Sequence, residues 1–119
     1  MLDSGRTMAR IRILPLDVEI EAHVDATVMG AAQALGFWWP TTCGGEGRCT
    51  TCACEVLEGM AALTPRGRAE ERSLVAERGP RVLDTNVRLA CQARVRDDGA
   101  VVTVRKIGVR RPGEESALR

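Results

Sequence analysis

The chain has 119 residues, is 45% hydrophobic and 28% charged, and carries a formal net charge of +1, the composition of one globular domain with an ordinary core. The even charge balance excludes the basic footprint of a nucleic-acid binder, and no apolar run reaches the roughly 18 residues of a membrane span. The opening Met1-Leu2-Asp3-Ser4-Gly5-Arg6-Thr7 lacks the basic start and apolar stretch of a secretory signal, so a cytoplasmic protein is expected, and a monomer.

Residues 1 to 8 are expected to be a flexible lead-in, with the domain proper running from 9 to 107. Ile11 and Ile13 alternate with Arg10 and Arg12. Val18, Ile20, Ala22 and Val24 then alternate with Asp17, Glu19, Glu21 and His23, and Pro15 stands between the runs. The period of two predicts a hairpin with one buried face and leaves His23, the only histidine, on the solvated side. After the capping side chains of Asp25-Ala26-Thr27, the residues Val28, Met29, Ala32 and Leu35 fall at helical spacing, and Gly36 stands where a helix commonly stops.

From Phe37 to Thr51 the chain is glycine-rich and aperiodic, which predicts a structured loop, with Ala53 to Glu58 as the strand leaving it. Thr64-Pro65 suits a helix start, Ala69 to Glu77 supplies helix formers with Leu74 and Val75 on one side, and Gly79-Pro80 closes the segment. Val87, Leu89, Cys91, Ala93 and Val95 alternate with Arg88, Ala90, Gln92, Arg94 and Arg96 and predict a strand with Cys91 on its buried face. Asp97-Asp98-Gly99 makes a turn, and Ala100 to Ile107 is the last strand. The tail from Gly108 to the end, 108–119, offers nothing to a core and is expected to be mobile. This order of strands and helices predicts a mixed sheet with packed helices, the α+β class.

Five cysteines, an odd number with four of them inside the twelve positions from Cys43 to Cys54, argue against a disulfide framework and for metal or redox chemistry. Cys43 is followed after five residues by Cys49, after two more by Cys52 and after thirty-eight more by Cys91. Three thiolates therefore share one loop, and a fourth arrives from far along the chain. Iron favours sulfur ligands, and a cluster of two irons and two sulfides takes four of them. Gly44, Gly45 and Gly47 permit close approach of backbone to metal with N–H groups aimed at sulfur. Because the charge of such a cluster goes from about −2 to about −3 on reduction, inward-facing donors favour the reduced form. Arg48 acts in the same direction and Glu46 against it.

Zinc is the structural alternative for four cysteines, but zinc modules usually pair two Cys-x-x-Cys knuckles, and here only Cys49-Thr50-Thr51-Cys52 has that form. Read alone, that pair could be a thioredoxin-like redox site, yet it precedes a strand where such a site precedes a helix. Cys54 is either a spare ligand or a thiol packed against the core, and the second reading is favoured. In Phe37-Trp38-Trp39-Pro40 one indole is expected to fill the core, and the other is a candidate for the surface beside the cysteine loop, where it could meet a partner.

The run from Cys43 to Cys52, together with Arg88-Leu89-Ala90-Cys91-Gln92, resembles the two-iron ferredoxins. The five-residue first gap is similar to the adrenodoxin-like and bacterial oxygenase-serving branch, and the glycine pattern is also similar to ferredoxin domains joined to bacterial cyclases and corrinoid-protein activators. The resemblance covers Ala9 to Ile107 and implies a β-grasp fold and a [2Fe-2S] cluster held by Cys43, Cys49, Cys52 and Cys91. It further implies an electron-transfer protein with no catalytic residues, carrying single electrons from a flavoprotein ferredoxin reductase to an oxygenase, either a haem-thiolate monooxygenase or a Rieske-type hydroxylase. An iron–sulfur redox sensor or activation module would use the same cluster, and a structural zinc module is the remote alternative. Adrenodoxin-like proteins engage partners through an acidic helix. Glu70, Glu71 and Glu77 occupy the matching region, but Arg66, Arg68, Arg72 and Arg78 interleave with them.

Overall fold

The structure, a computed structural model, describes residues 8–41 and 51–113. Its strands are β1 (Met8–Leu14), β2 (Val18–His23), β3 (Ala53–Glu58), β4 (Val87–Leu89) and β5 (Val101–Arg105), and its helices are α1 (Val28–Ala34) and α2 (Arg68–Arg78). Short 3-10 turns occupy Met60–Ala62 and Pro80–Asp84. The sheet runs β2-β1-β5-β3-β4, with β1 and β5 parallel and every other neighbouring pair antiparallel. This mixed sheet with packed helices is the expected α+β, β-grasp arrangement. Among the described residues no helix is long and apolar enough to cross a membrane.

The alternation in β1 does what its period requires: Ala9, Ile11 and Ile13 are buried while Arg10 and Arg12 face solvent. The β1–β2 register sets Ile11 opposite Ile20 and Ala9 opposite Ala22, so both strands bury the same face. His23 is exposed, as its place in the pattern requires. Central β5 buries Val102, Thr103 and Val104 in succession, because both of its edges are paired and both faces are covered. Thr27 caps α1 by accepting the Gly30 amide at 2.9 Å, and the helix lays Val28, Met29, Ala31 and Ala32 into the core.

Four expectations change. The strand predicted from Val87 to Val95 stops at Leu89, and the apparent alternation beyond it is a turn followed by isolated bridges, Thr27 with Arg94 and Leu63 with Val95. A turn residue can be buried as fully as a strand residue, so the pattern survived while the element did not. The second helix starts at Arg68, after an N-cap at Gly67. Thr64 is engaged elsewhere, its N–H donating to the Arg94 carbonyl at 2.9 Å and its hydroxyl accepting the Arg94 amide at 3.1 Å. Within 108–113, the described part of the expected tail, Val109 joins the core at 5% exposed, and Arg110 exchanges two backbone hydrogen bonds with Trp38 at 3.0 Å; 114–119 lie outside the described residues. At the other end, Met8 already belongs to β1.

Candidate metal centre

The antiparallel register of β3 and β4 pairs Ala53 with Leu89. Cys52, one residue before that pair on one strand, and Cys91, two residues after it on the other, are thereby brought to the same end of the ribbon. Both are buried. Cys91 sits on the tight turn that ends β4, where the amides of Gln92 and Ala93 both donate to the Leu89 carbonyl at 2.9 Å. That turn is docked on the start of α1, whose first N–H groups have no partners within their own helix. Val28 donates to the Ala93 carbonyl at 3.0 Å and Met29 to the Ala90 carbonyl at 2.9 Å. The Gln92 side-chain amide lies 3.6 Å from the Cys91 sulfur as a donor.

From the other side the turn is held by α2. Glu70, 2% exposed, accepts from Arg88 Nε at 2.7 Å, from Arg88 Nη2 at 3.1 Å and from the Leu89 amide at 2.9 Å. Arg88 is equally buried and completes its set with the sulfur of Met60 at 3.7 Å. The pair is bidentate and fully hydrogen-bonded, which is the condition under which a buried ion pair is tolerated. Glu70 is therefore a structural residue and is absent from the helix surface. Arg68, Arg72, Glu77 and Arg78 are the exposed charges that remain on α2.

The cysteine loop is clamped at its stems. Trp39, buried, donates its indole N–H to the Cys52 carbonyl at 3.0 Å, joining the entry of the loop to its exit. Trp38, 43% exposed, takes the surface position beside it, so the two indoles divide as expected between core and surface. Lys106, just beyond β5, donates from Nζ to the Thr51 carbonyl at 2.7 Å. Burial lowers the pKa of Lys106, the thiols of Cys54 and Cys52 oppose that lowering, and Arg78 adds to it.

Cys54 is buried on β3 opposite Arg88. Burial pushes its thiol up to about 12, against the pull of Lys106 and Arg88 and with a small push from Glu70. A thiol so held is protonated and inert at neutral pH.

Cys43 and Cys49 lie outside the described residues, as do Gly44, Gly45, Glu46, Gly47 and Arg48. The described part of the site suits an iron–sulfur cluster. Two buried cysteines come to one end of the β3–β4 ribbon. Thr41 Oγ1, at the loop entry, is a buried hydroxyl with no hydrogen-bond partner among the described residues, as a donor awaiting a sulfur acceptor would be.

Sequence reasoning missed the Glu70–Arg88 pair and Lys106. A glutamate four residues before the buried Leu74, on the same helix face, was the available signal for the first. For the second it was a single lysine in a chain of arginines, placed where β5 ends.

The sequence model of the 2Fe-2S iron-sulfur cluster binding domain matches residues 11–96. The chain is 30% identical over 96 residues to 2Fe-2S ferredoxin-5 of Aquifex aeolicus, an alignment covering 80% of this chain and 96% of that protein. Its fold is similar to the ISC-like [2Fe-2S] ferredoxin FdxB of Pseudomonas putida, with a TM-score of 0.67, 26% identity and coverage of 83% and 92% of the two chains. It is also similar to the Amycolatopsis cytochrome P450 reductase GcoB, with a TM-score of 0.64 and 29% identity, over 87% of this chain and 27% of that one. The chain belongs to the 2Fe-2S iron-sulfur cluster binding domain family: it is a ferredoxin whose cofactor is a [2Fe-2S] cluster, an electron carrier and not an enzyme.

Proposed function

We propose that Cys43, Cys49, Cys52 and Cys91 hold the cluster, and that the chain takes one electron at a time from a flavin-dependent ferredoxin reductase and delivers it to an oxygenase, a haem-thiolate monooxygenase or a Rieske-type hydroxylase. The observation that carries the ligand set is the convergence of Cys52 and Cys91, remote in sequence, at one end of the β3–β4 ribbon below a clamped loop. The oxygenase destination draws support from the Amycolatopsis neighbour, described as a cytochrome P450 reductase.

The cluster supplies a one-electron couple. The protein's part is to hold four thiolates with little rearrangement between charge states, to keep bulk water from the sulfurs and to expose a docking face beside the loop. Trp39 and the Cys91 turn serve the first two, and exposed Trp38 at the loop stem serves the third. Small, partly electrostatic contacts suit a carrier that must leave its partner quickly.

The test is reconstitution. Stopped-flow reduction by a flavin ferredoxin reductase with its nicotinamide donor, followed by product formation from a P450 or a Rieske oxygenase, is the expected result. Efficient reduction without turnover by either oxygenase class would overturn the acceptor assignment.

A further inference from the structure

We infer that Lys106 is a potential-setting residue for the cluster: its ammonium group, fixed on the exit stem of the ligand loop, selectively stabilises the reduced state. This rests on the assignment of Cys52 as a ligand made above. Lys106 is the only lysine in the chain. It follows β5 directly, and its backbone N–H is anchored on the Leu14 carbonyl of β1 at 2.7 Å, so the residue is fixed by the centre of the sheet. Its side chain is half-buried and reaches across to the Thr51 carbonyl at 2.7 Å, one residue before Cys52. Lys106 and Cys54 also line one cleft beside β3.

An electrostatic field works in both directions. A cation bonded to the peptide that leads into Cys52 acts on any charge the sulfur of Cys52 helps to carry. Its attraction for a cluster of charge about −3 exceeds that for one of about −2, and partial burial reduces the screening that water would impose. The same hydrogen bond orients the Thr51 peptide, so the positive end of the ammonium and the geometry of the loop exit are set together. Among the described residues, the exposed arginines lack this combination of a short bond to the loop stem and a half-buried charge. Arg105, the preceding residue, is exposed and pairs loosely with Glu55 at 3.8 Å.

The experiment is a spectroelectrochemical titration of the holoprotein and of the variants Lys106→Met, Lys106→Arg and Lys106→Glu. Methionine keeps the apolar stem and removes the charge. The expected result is a fall in the reduced-to-oxidised ratio at a fixed potential by about tenfold for Lys106→Met, equivalent to about 59 mV for one electron, with a larger fall for Lys106→Glu and a value near wild type for Lys106→Arg. A purely structural lysine would lower thermal stability in Lys106→Met without moving the potential, and that outcome overturns the inference. So does an arginine variant as low as the methionine variant. Should Lys106→Met fail to assemble, the native holoprotein answers the question directly. Acetylation of its amines removes the charge and lowers the potential, and reductive methylation keeps the charge and leaves it unchanged. Equal potentials for the two modified forms would contradict the inference. A Cys52→Ser protein that retains the wild-type visible spectrum would overturn the ligand assignment, a failure distinct from any result at Lys106.

Discussion

Glu70 and Arg88 form a buried ion pair, with Nε to Oε2 at 2.7 Å, that joins the first turn of α2 to the strand three residues before Cys91. Removing one partner leaves the other charged and without water. Glu70→Ala is therefore expected to cost about 3–5 kcal/mol, as for other broken buried pairs, whereas a double replacement by apolar residues of similar volume costs much less. Denaturant unfolding followed by circular dichroism measures both. A Glu70→Ala protein as stable as wild type would show that the pair contributes nothing.

The hydrogen bond from Trp39 Nε1 to the Cys52 carbonyl, 3.0 Å long, separates two contributions of one side chain. Trp39→Phe keeps most of the apolar volume and loses the donor. The lost hydrogen bond costs about 0.5–1.5 kcal/mol, with faster bleaching of the visible bands under chelator. Trp39→Ala adds a cavity, for a total of about 3–5 kcal/mol. Identical bleaching rates for wild type and Trp39→Phe would remove the clamp from the account.

Cys54 is 3% exposed, and the proposed ligand set does not include it. Serine at Cys54 is expected to leave the visible spectrum intact, while serine at Cys43, Cys49, Cys52 or Cys91 abolishes or distorts it. In the native holoprotein a thiol reagent at neutral pH is expected to leave Cys54 unmodified, with reaction only on unfolding. Mass spectrometry of the labelled peptide reads the result, and prompt labelling of Cys54 would contradict its placement.

Gly59 and Gly79 share a φ of +88°, but their surroundings differ. A Cβ at Gly59 would meet the Val101 carbonyl at 2.5 Å, while one at Gly79 meets nothing within 4 Å. Gly79, with ψ 163°, lies in a region open essentially to glycine alone, so Gly79→Ala is expected to cost about 1–3 kcal/mol from backbone strain alone, and Gly59→Ala more still, because there the β3–β5 contact must open as well. Thermal midpoints of the two variants compare them directly, and equal losses would show that the clash is relieved.

The β1–β2 hairpin, α1 and the burial of Cys91 were legible because period-two and helical patterns report which face is buried. What was not legible has a common cause. The break after Leu89 depends on α1 seating its free N–H groups on the Ala90 and Ala93 carbonyls, a contact between segments some sixty residues apart that no local pattern carries. The start of α2 moved because Thr64 is paired with Arg94 and the Arg66 guanidinium is committed to the carbonyls of Leu83, Thr85 and Val87. Glu70 looked like a docking charge because sequence shows a charge without its partner. Val109 looked like tail because a single apolar residue among arginines has no period. The cofactor was legible from the cysteine spacing because a two-iron cluster demands four ligands, whatever the surrounding fold.

The claim on which the account most depends is that four thiolates, Cys91 among them, bind a pair of irons that accepts one electron. Electron paramagnetic resonance with spin quantitation on dithionite-reduced protein tests it most directly. The account predicts no signal from the oxidised sample and one unpaired spin for every two irons after reduction, lost or strongly altered in Cys91→Ser. A reduced sample that stays silent, or a Cys91→Ser protein with the unaltered wild-type signal, would contradict it.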